Sequence, residues 1–279
     1  KTEGTRSMAL RLSIREPMAP GATLIEQWKN LRTLGFEGVE LTRSSNLSEL
    51  DNIKAAMRES GIQPNITSAG PGCLIDARKE ERDIAVKSHK DAIDLAAEIG
   101  AVGVLTAPGI KVKMQIEGPR PRIPDLRPYK SSEELEFLMM AELFGDISAH
   151  AQSRGVYVIL EPLNRYEQVF PKSLADGVRL CEAVGNPHCK IMADLFHMNI
   201  EDADMPASIR EAGDAIVNVH LADSHRQTPG RGHTDFVACF AALKDIGYDY
   251  YCGLECGVPG DAMEELARTA TFLREAYEG

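Results

Sequence analysis

Short apolar runs alternate along the chain with longer stretches in which apolar side chains recur every three or four positions. The runs Ala9–Ile14, Gly38–Leu41, Ile62–Thr67, Ala101–Thr106, Val156–Leu160, Lys190–Ala193, Ile216–Val219 and Tyr250–Leu254 have strand length. The first helical stretch, Leu24–Leu34, puts Leu24, Trp28, Leu31 and Leu34 on one face, and Leu47–Ser60 repeats the spacing with Leu50, Ile53 and Met57. Further helices are predicted over Glu80–Ile99, Ser132 to about Ser153, Leu174–Val184, Pro206–Ala212, Phe236–Ile246 and Ala262–Glu278, with Ser131 or Ser132 as a cap. Gly35, Gly61, Gly100, Gly155, Gly185, Gly213 and Gly247 stand where helix C-caps are wanted, so they punctuate the pattern independently of hydrophobicity. Strand and helix alternate eight times, which predicts an α/β protein, a single (β/α)8 TIM barrel with its active site at the carboxyl ends of the strands. The barrel accounts for residues 1–279 as one domain, with the polar start 1–8 expected to be flexible and outside the repeat.

Composition narrows the function classes. A net charge of −11 and a pI near 5.2 disfavour nucleic acid as a partner, because phosphate neutralisation by basic residues supplies most of the affinity for a polyanion. No apolar stretch approaches the roughly 20 residues of a membrane span, and the start Lys1–Ser7 lacks the apolar core of a signal peptide. The six cysteines are scattered singly, as free thiols of a reducing compartment would be. A cytoplasmic enzyme acting on a small molecule is expected, and association into a homo-oligomer is compatible with the pattern.

One connection is longer than a barrel requires. Ala107–Lys130 is rich in proline and base (Lys111, Lys113, Arg120, Arg122, Arg127, Lys130) and follows a strand's carboxyl end. It is expected to form a lid or wall over the mouth, or a solvated insertion or oligomer contact. Its positive charge leaves a phosphorylated substrate open.

Four residues end consecutive strands of the second half. Glu161, Asp194, His220 and Glu255 recur 33, 26 and 35 residues apart, each closing an apolar run. A single acid at a strand end is usually a cap or an ion-pair member. Four on neighbouring parallel strands converge on one mouth, where carboxylates without a cation would repel one another. One imidazole and three carboxylates form a hard, mostly oxygen donor set, fitting Mn²⁺ first and tolerating Mg²⁺, Co²⁺ or Zn²⁺.

The strings around these positions are Leu160–Glu167 (LEPLNRYE), Ala193–Glu201 (ADLFHMNIE), His220–His233 (HLADSHRQTPGRGH) and Gly253–Glu255. Together they resemble the sugar isomerase and epimerase barrels, most closely the D-tagatose 3-epimerase group of ketose 3-epimerases. The resemblance implies that Glu161, Asp194, His220 and Glu255 bind a divalent metal and that Glu161 and Glu255 also exchange the substrate proton. It implies that Glu167, His197 and Arg226 hold the sugar near its first carbons. The likeness departs after the last strand, where Cys256-Gly257 replaces an aromatic residue, and no aromatic wall follows the early strands.

The chemistry those residues offer is inversion beside a carbonyl. The C3–H of a ketose is acidified by the C2 carbonyl, a divalent ion on O2 and O3 stabilises the enediolate, and two glutamates on opposite faces remove and return the proton. An aldose–ketose isomerase, or a dehydratase acting on a keto-polyol or keto acid, would begin with nearly the same step. A sugar-binding barrel without catalysis would not need both glutamates. An abasic-site endonuclease shares Asp194-x-x-His197 and His220 in pattern, but Ile66–Ala69 and Leu105–Ala107 lack the additional histidines its trinuclear zinc site requires.

Overall fold

Eight parallel strands close around an interior of branched and unbranched apolar side chains. A computed structural model describes residues 9–42, 47–109 and 122–279; the polar start 1–8 and part of the basic connection lie outside the described residues. The strands are β1 (Arg11–Ile14), β2 (Gly38–Glu40), β3 (Gln63–Ser68), β4 (Gly103–Thr106), β5 (Tyr157–Leu160), β6 (Cys189–Asp194), β7 (Ile216–Leu221) and β8 (Tyr251–Leu254). Every ladder is parallel, in the order β1-β8-β7-β6-β5-β4-β3-β2, and the seam between β1 and β2 is bridged at Arg15 and Glu40. This is the (β/α)8 barrel expected from the alternation.

The helices are α1 (Leu24–Thr33), α2 (Leu50–Ser60), α3 (Lys79–Ile99), α4 (Ser132–Arg154), α5 (Leu174–Val184), α6 (Leu195–Glu201), α7 (Met205–Ala212), α8 (Phe236–Asp245) and α9 (Ala262–Glu278). Local chemistry sets their ends. Ser131 and Glu134 form a reciprocal capping box at α4, and Gly61, Gly100, Gly155 and Gly185 terminate α2 to α5 in the left-handed conformation that costs glycine least.

Two apolar layers hold the barrel. Strand residues such as Leu12, Val104, Leu160 and Leu254 meet Trp28, Ile93, Phe144, Phe240 and Leu273 of the helices in the outer layer. Ile66, Leu105, Ile159, Met192 and Val217 fill the barrel axis as a separate cluster. Each fully buried side chain of this size contributes about 1.5–3 kcal/mol. Strands packed on both faces explain why β7 is buried throughout, with Asn218 and His220 turned to internal partners.

One helix was not anticipated and one expectation needs correction. His197 sits on the unanticipated helix: α6 starts directly on Asp194, which ends β6 and caps the helix by accepting from the Phe196 and His197 amides. The long connection is also less available to an anion than its composition suggests. Arg122 is engaged by Glu133 and the buried Glu136, and Arg127 by Asp125, while Lys111, Lys113 and Arg120 lie outside the described residues. No helix among the described residues is long and apolar enough to cross a membrane.

Candidate active site

The four strand-end residues meet. One donor atom from each of Glu161, Asp194, His220 and Glu255 lies within 4.8 Å of the others. His220 Nδ1 is central, 3.0 Å from Glu255 Oε2 and 3.5 Å from both Glu161 Oε1 and Asp194 Oδ2. His220 Nδ1 and Glu161 Oε1 are buried yet have no hydrogen-bond partner. Two unpartnered buried ligand atoms, an imidazole nitrogen and a carboxylate oxygen, face each other among three carboxylates, so the residues present fit a divalent metal.

The tautomer of His220 is set from behind. Its Nε2 lies 2.7 Å from Glu40 Oε2, and Asn218 Nδ2 donates to the other Glu40 oxygen at 3.1 Å. A carboxylate accepts, so Nε2 carries a proton and Nδ1 is the nitrogen turned to the three acids, where its lone pair would serve a bound cation. Burial alone would raise the Glu40 pKa, but His220, Asn218 and Arg15 outweigh it and hold the carboxyl below the ordinary range. Burial would likewise raise Asp194, which Arg226, His197 and His220 hold well below the usual carboxylate value.

Two guanidinium groups flank Glu255. Arg15, just beyond β1, contacts Glu255 Oε1, while Arg226 Nη2 donates to Oε2 at 2.5 Å and Nη1 to Asp194 Oδ2 at 3.2 Å. Arg226 also lies over the Phe196 ring, 4.5 Å from its centroid. Its backbone has φ 63°, a left-handed conformation that a side chain of this size adopts only under constraint.

Asp223 supplies that constraint. Its carboxylate accepts from the backbone N–H groups of Ser224, Gly230, Arg231, Gly232 and Thr234, at 2.7–3.1 Å, which folds the β7α8 loop around one anion. A Cβ on Gly232 would come within 2.3 Å of Asp223 Oδ1, so the loop closes only over a glycine. The Gly257 amide then donates to the Arg226 carbonyl at 2.8 Å, tying this loop to the segment after Glu255.

His197 is buried in α6. Its Nδ1 accepts from the Asn164 backbone amide at 3.2 Å, so Nε2 carries the proton and the 3.3 Å approach of Arg226 Nη1 to Nε2 places two donors side by side. Asn164 Nδ2 also donates to Glu167 Oε1 at 3.0 Å, and Glu167 is half exposed at the rim. Glu161, Glu167, His197, Arg226 and Glu255 all line one cavity of ≈ 210 Å³. All seven residues singled out in the sequence thus lie at one mouth.

The sequence reading missed Glu40, Arg15, Asn164 and Asp223. Glu40 and Arg15 occupy the ends of β2 and β1, the same strand-end position that marked the other acids. Asn164 and Asp223 lie inside the strings that carried the family likeness, and as buried polar residues in loops they required partners.

The family model described as xylose isomerase-like TIM barrel matches residues 28–276. The chain is 29% identical over 230 residues to the 3-dehydro-D-guloside 4-epimerase of Escherichia coli, covering 82% of this chain and 85% of the relative. It is 31% identical over 255 residues to an L-ribulose 3-epimerase of Mesorhizobium japonicum, covering 89% and 80%. Among solved structures, the apo form of a 3-keto-D-glucoside 4-epimerase from Escherichia coli superposes with a TM-score of 0.86 at 25% identity, covering 96% of this chain and 100% of the other.

Proposed function

We propose, from the premise that this chain belongs to the xylose isomerase-like TIM barrel family and is a sugar epimerase, that it inverts C3 of a ketose using Glu161 and Glu255 as paired acid and base. The observation that carries the reading is the placement of these two carboxylates. They follow β5 and β8, with β6 and β7 between them, and lie 3.5 and 3.0 Å from His220 Nδ1.

Glu161, Asp194, His220 and Glu255 would hold a divalent ion, for which Mn²⁺ fits the donor set best. When bound, the ion supplies Lewis acidity to the substrate oxygens beside the reacting carbon. Glu161, whose Oε1 has no hydrogen-bond partner, is suited to take the proton from one face. Glu255, held between Arg15 and Arg226, returns a proton to the other face, and the carbon is inverted. His197 Nε2–H and Arg226 present adjacent donors to the sugar's first oxygens, and Glu167 accepts from a hydroxyl at the rim.

A second reading is inversion at C4 of a 3-keto sugar, which uses the same chemistry one carbon from a different carbonyl. It is favoured by the small side chains Ser68, Ala69, Gly70 and Ala107 on the cavity wall, which leave room for a pyranose ring, and by the name of the relative from Escherichia coli.

Incubation of the Mn²⁺-loaded protein in deuterated water with free ketoses, ketose phosphates and 3-keto-glycosides tests both. Deuterium at C3 of an epimerised ketose supports the first reading; deuterium at C4 of a 3-keto-glycoside replaces it with the second. Label at C1 with an aldose product would mean isomerisation, and an ultraviolet-absorbing enone would mean loss of water.

A further inference from the structure

One strand away from Glu161, Thr106 ends β4 and His89 reaches it from α3; both are buried and both line the cavity. His89 Nδ1 lies 2.7 Å from the Ala85 carbonyl oxygen. A carbonyl can only accept, so Nδ1 carries a ring proton; burial disfavours a second proton on the ring, which leaves Nε2 as a lone-pair acceptor. That Nε2 is hydrogen-bonded to Thr106 Oγ1. The hydroxyl has one proton, and it goes to His89. What Thr106 has left to offer the cavity is lone pairs alone.

We propose that Thr106, its proton committed to His89, is an acceptor-only contact that selects a substrate bearing a free hydroxyl remote from the reacting carbon, with His89 as the residue that positions it. The inference rests on the epimerase reading for the placement of the reacting carbon at the carboxylate cluster. Thr106 and Glu161 are backbone neighbours, the Glu161 amide donating to the Thr106 carbonyl at 2.8 Å, so a polyol seated at Glu161 extends along β4 past this hydroxyl. The surrounding wall of Ser68, Ala69 and Ala107 leaves the space for it. An acceptor-only position rejects a substituent that cannot donate, whatever its size, which makes it a selector between sugars and their deoxy or masked forms.

The test uses the Mn²⁺-loaded full chain with D-fructose as first probe and analogues in which each hydroxyl beyond C3 is replaced in turn by hydrogen or fluorine. Equilibrium binding and turnover are both measured. Wild type is expected to lose roughly tenfold in affinity at one carbon, equally for hydrogen and fluorine, since fluorine does not donate. Thr106→Val should bring that ratio to about one, and Thr106→Ser should keep it. In His89→Leu the Thr106 proton is released toward the cavity, so the fluorine analogue should regain affinity over the hydrogen one. Discrimination unchanged in Thr106→Val would overturn the proposal, as would equal treatment of fluorine and hydrogen in His89→Leu. Binding without turnover would sink the reaction reading while the hydroxyl selection stays readable from the binding constants. If neither fructose nor another ketohexose bound, both would fall.

Discussion

Glu40 and His220, separated by 180 residues in the chain, share a hydrogen bond of 2.7 Å inside the barrel. It decides which imidazole nitrogen faces the three acids. In Glu40→Gln the amide could still accept from Nε2, but its NH₂ would then face the Asn218 NH₂. We expect metal affinity to fall about ten- to a hundredfold, with the fold retained. Titration of metal-free protein followed by calorimetry, with circular dichroism as the control for folding, checks it; unchanged affinity would mean His220 is oriented by other contacts.

Replacing either proposed proton carrier should stop turnover by different routes. Glu161→Gln and Glu255→Gln keep size and an oxygen donor, but an amide carries no proton at neutral pH. A fall in kcat of about a hundredfold or more is expected, without label entering the substrate from deuterated water when Glu161 is replaced. Full exchange in Glu161→Gln would assign proton removal to another group.

Arg226, His197 and Glu167 are expected to act on the sugar. Alanine at each should leave about the wild-type amount of metal by elemental analysis while lowering kcat/KM by roughly ten- to a hundredfold, the worth of a charge-assisted hydrogen bond. Loss of the ion from Arg226→Ala in particular would contradict the geometry, because Arg226 holds Asp194 and Glu255 as a rival cation.

Acid should loosen the joint between α9 and the β7α8 loop. Glu265 accepts from Arg231, Arg268 and Thr228, and these contacts hold its carboxyl well below the ordinary 4.5 despite its burial. A carboxylate whose folded pKa is depressed contributes stability that is complete above its unfolded value and is lost as pH falls toward the folded one. Glu265→Gln should therefore lower Tm at pH 7 and flatten its decline below about pH 5. Parallel Tm curves for the two proteins would show that the pair contributes nothing.

The site was legible where a charged residue ended a clear apolar run, as at Glu161, Asp194, His220 and Glu255. Glu40 ends strand β2 in the structure, but the apolar run that marks the strand in the sequence, Gly38–Leu41, continues past it, so Glu40 did not stand out as a strand-end acid. Helix α6 was hidden because Asp194 both ends a strand and caps a helix, leaving no turn residue to mark the boundary. The fold was the more legible part, since strand length, helical spacing and C-cap glycines each give the same eight units. The engagement of Arg122 and Arg127 by neighbouring acids could not be read from composition, which counts charges without their partners.

The bridge that joins β1 to β2 falls on Arg15 and Glu40, and these same two side chains reach Glu255 and His220. The ring therefore fastens at the point where chemistry is gathered, and an occupant of the mouth acts as a clasp on the seam. Cutting the chain elsewhere and rejoining its ends could spare both; a break between β1 and β2 would open the cylinder and scatter the site together.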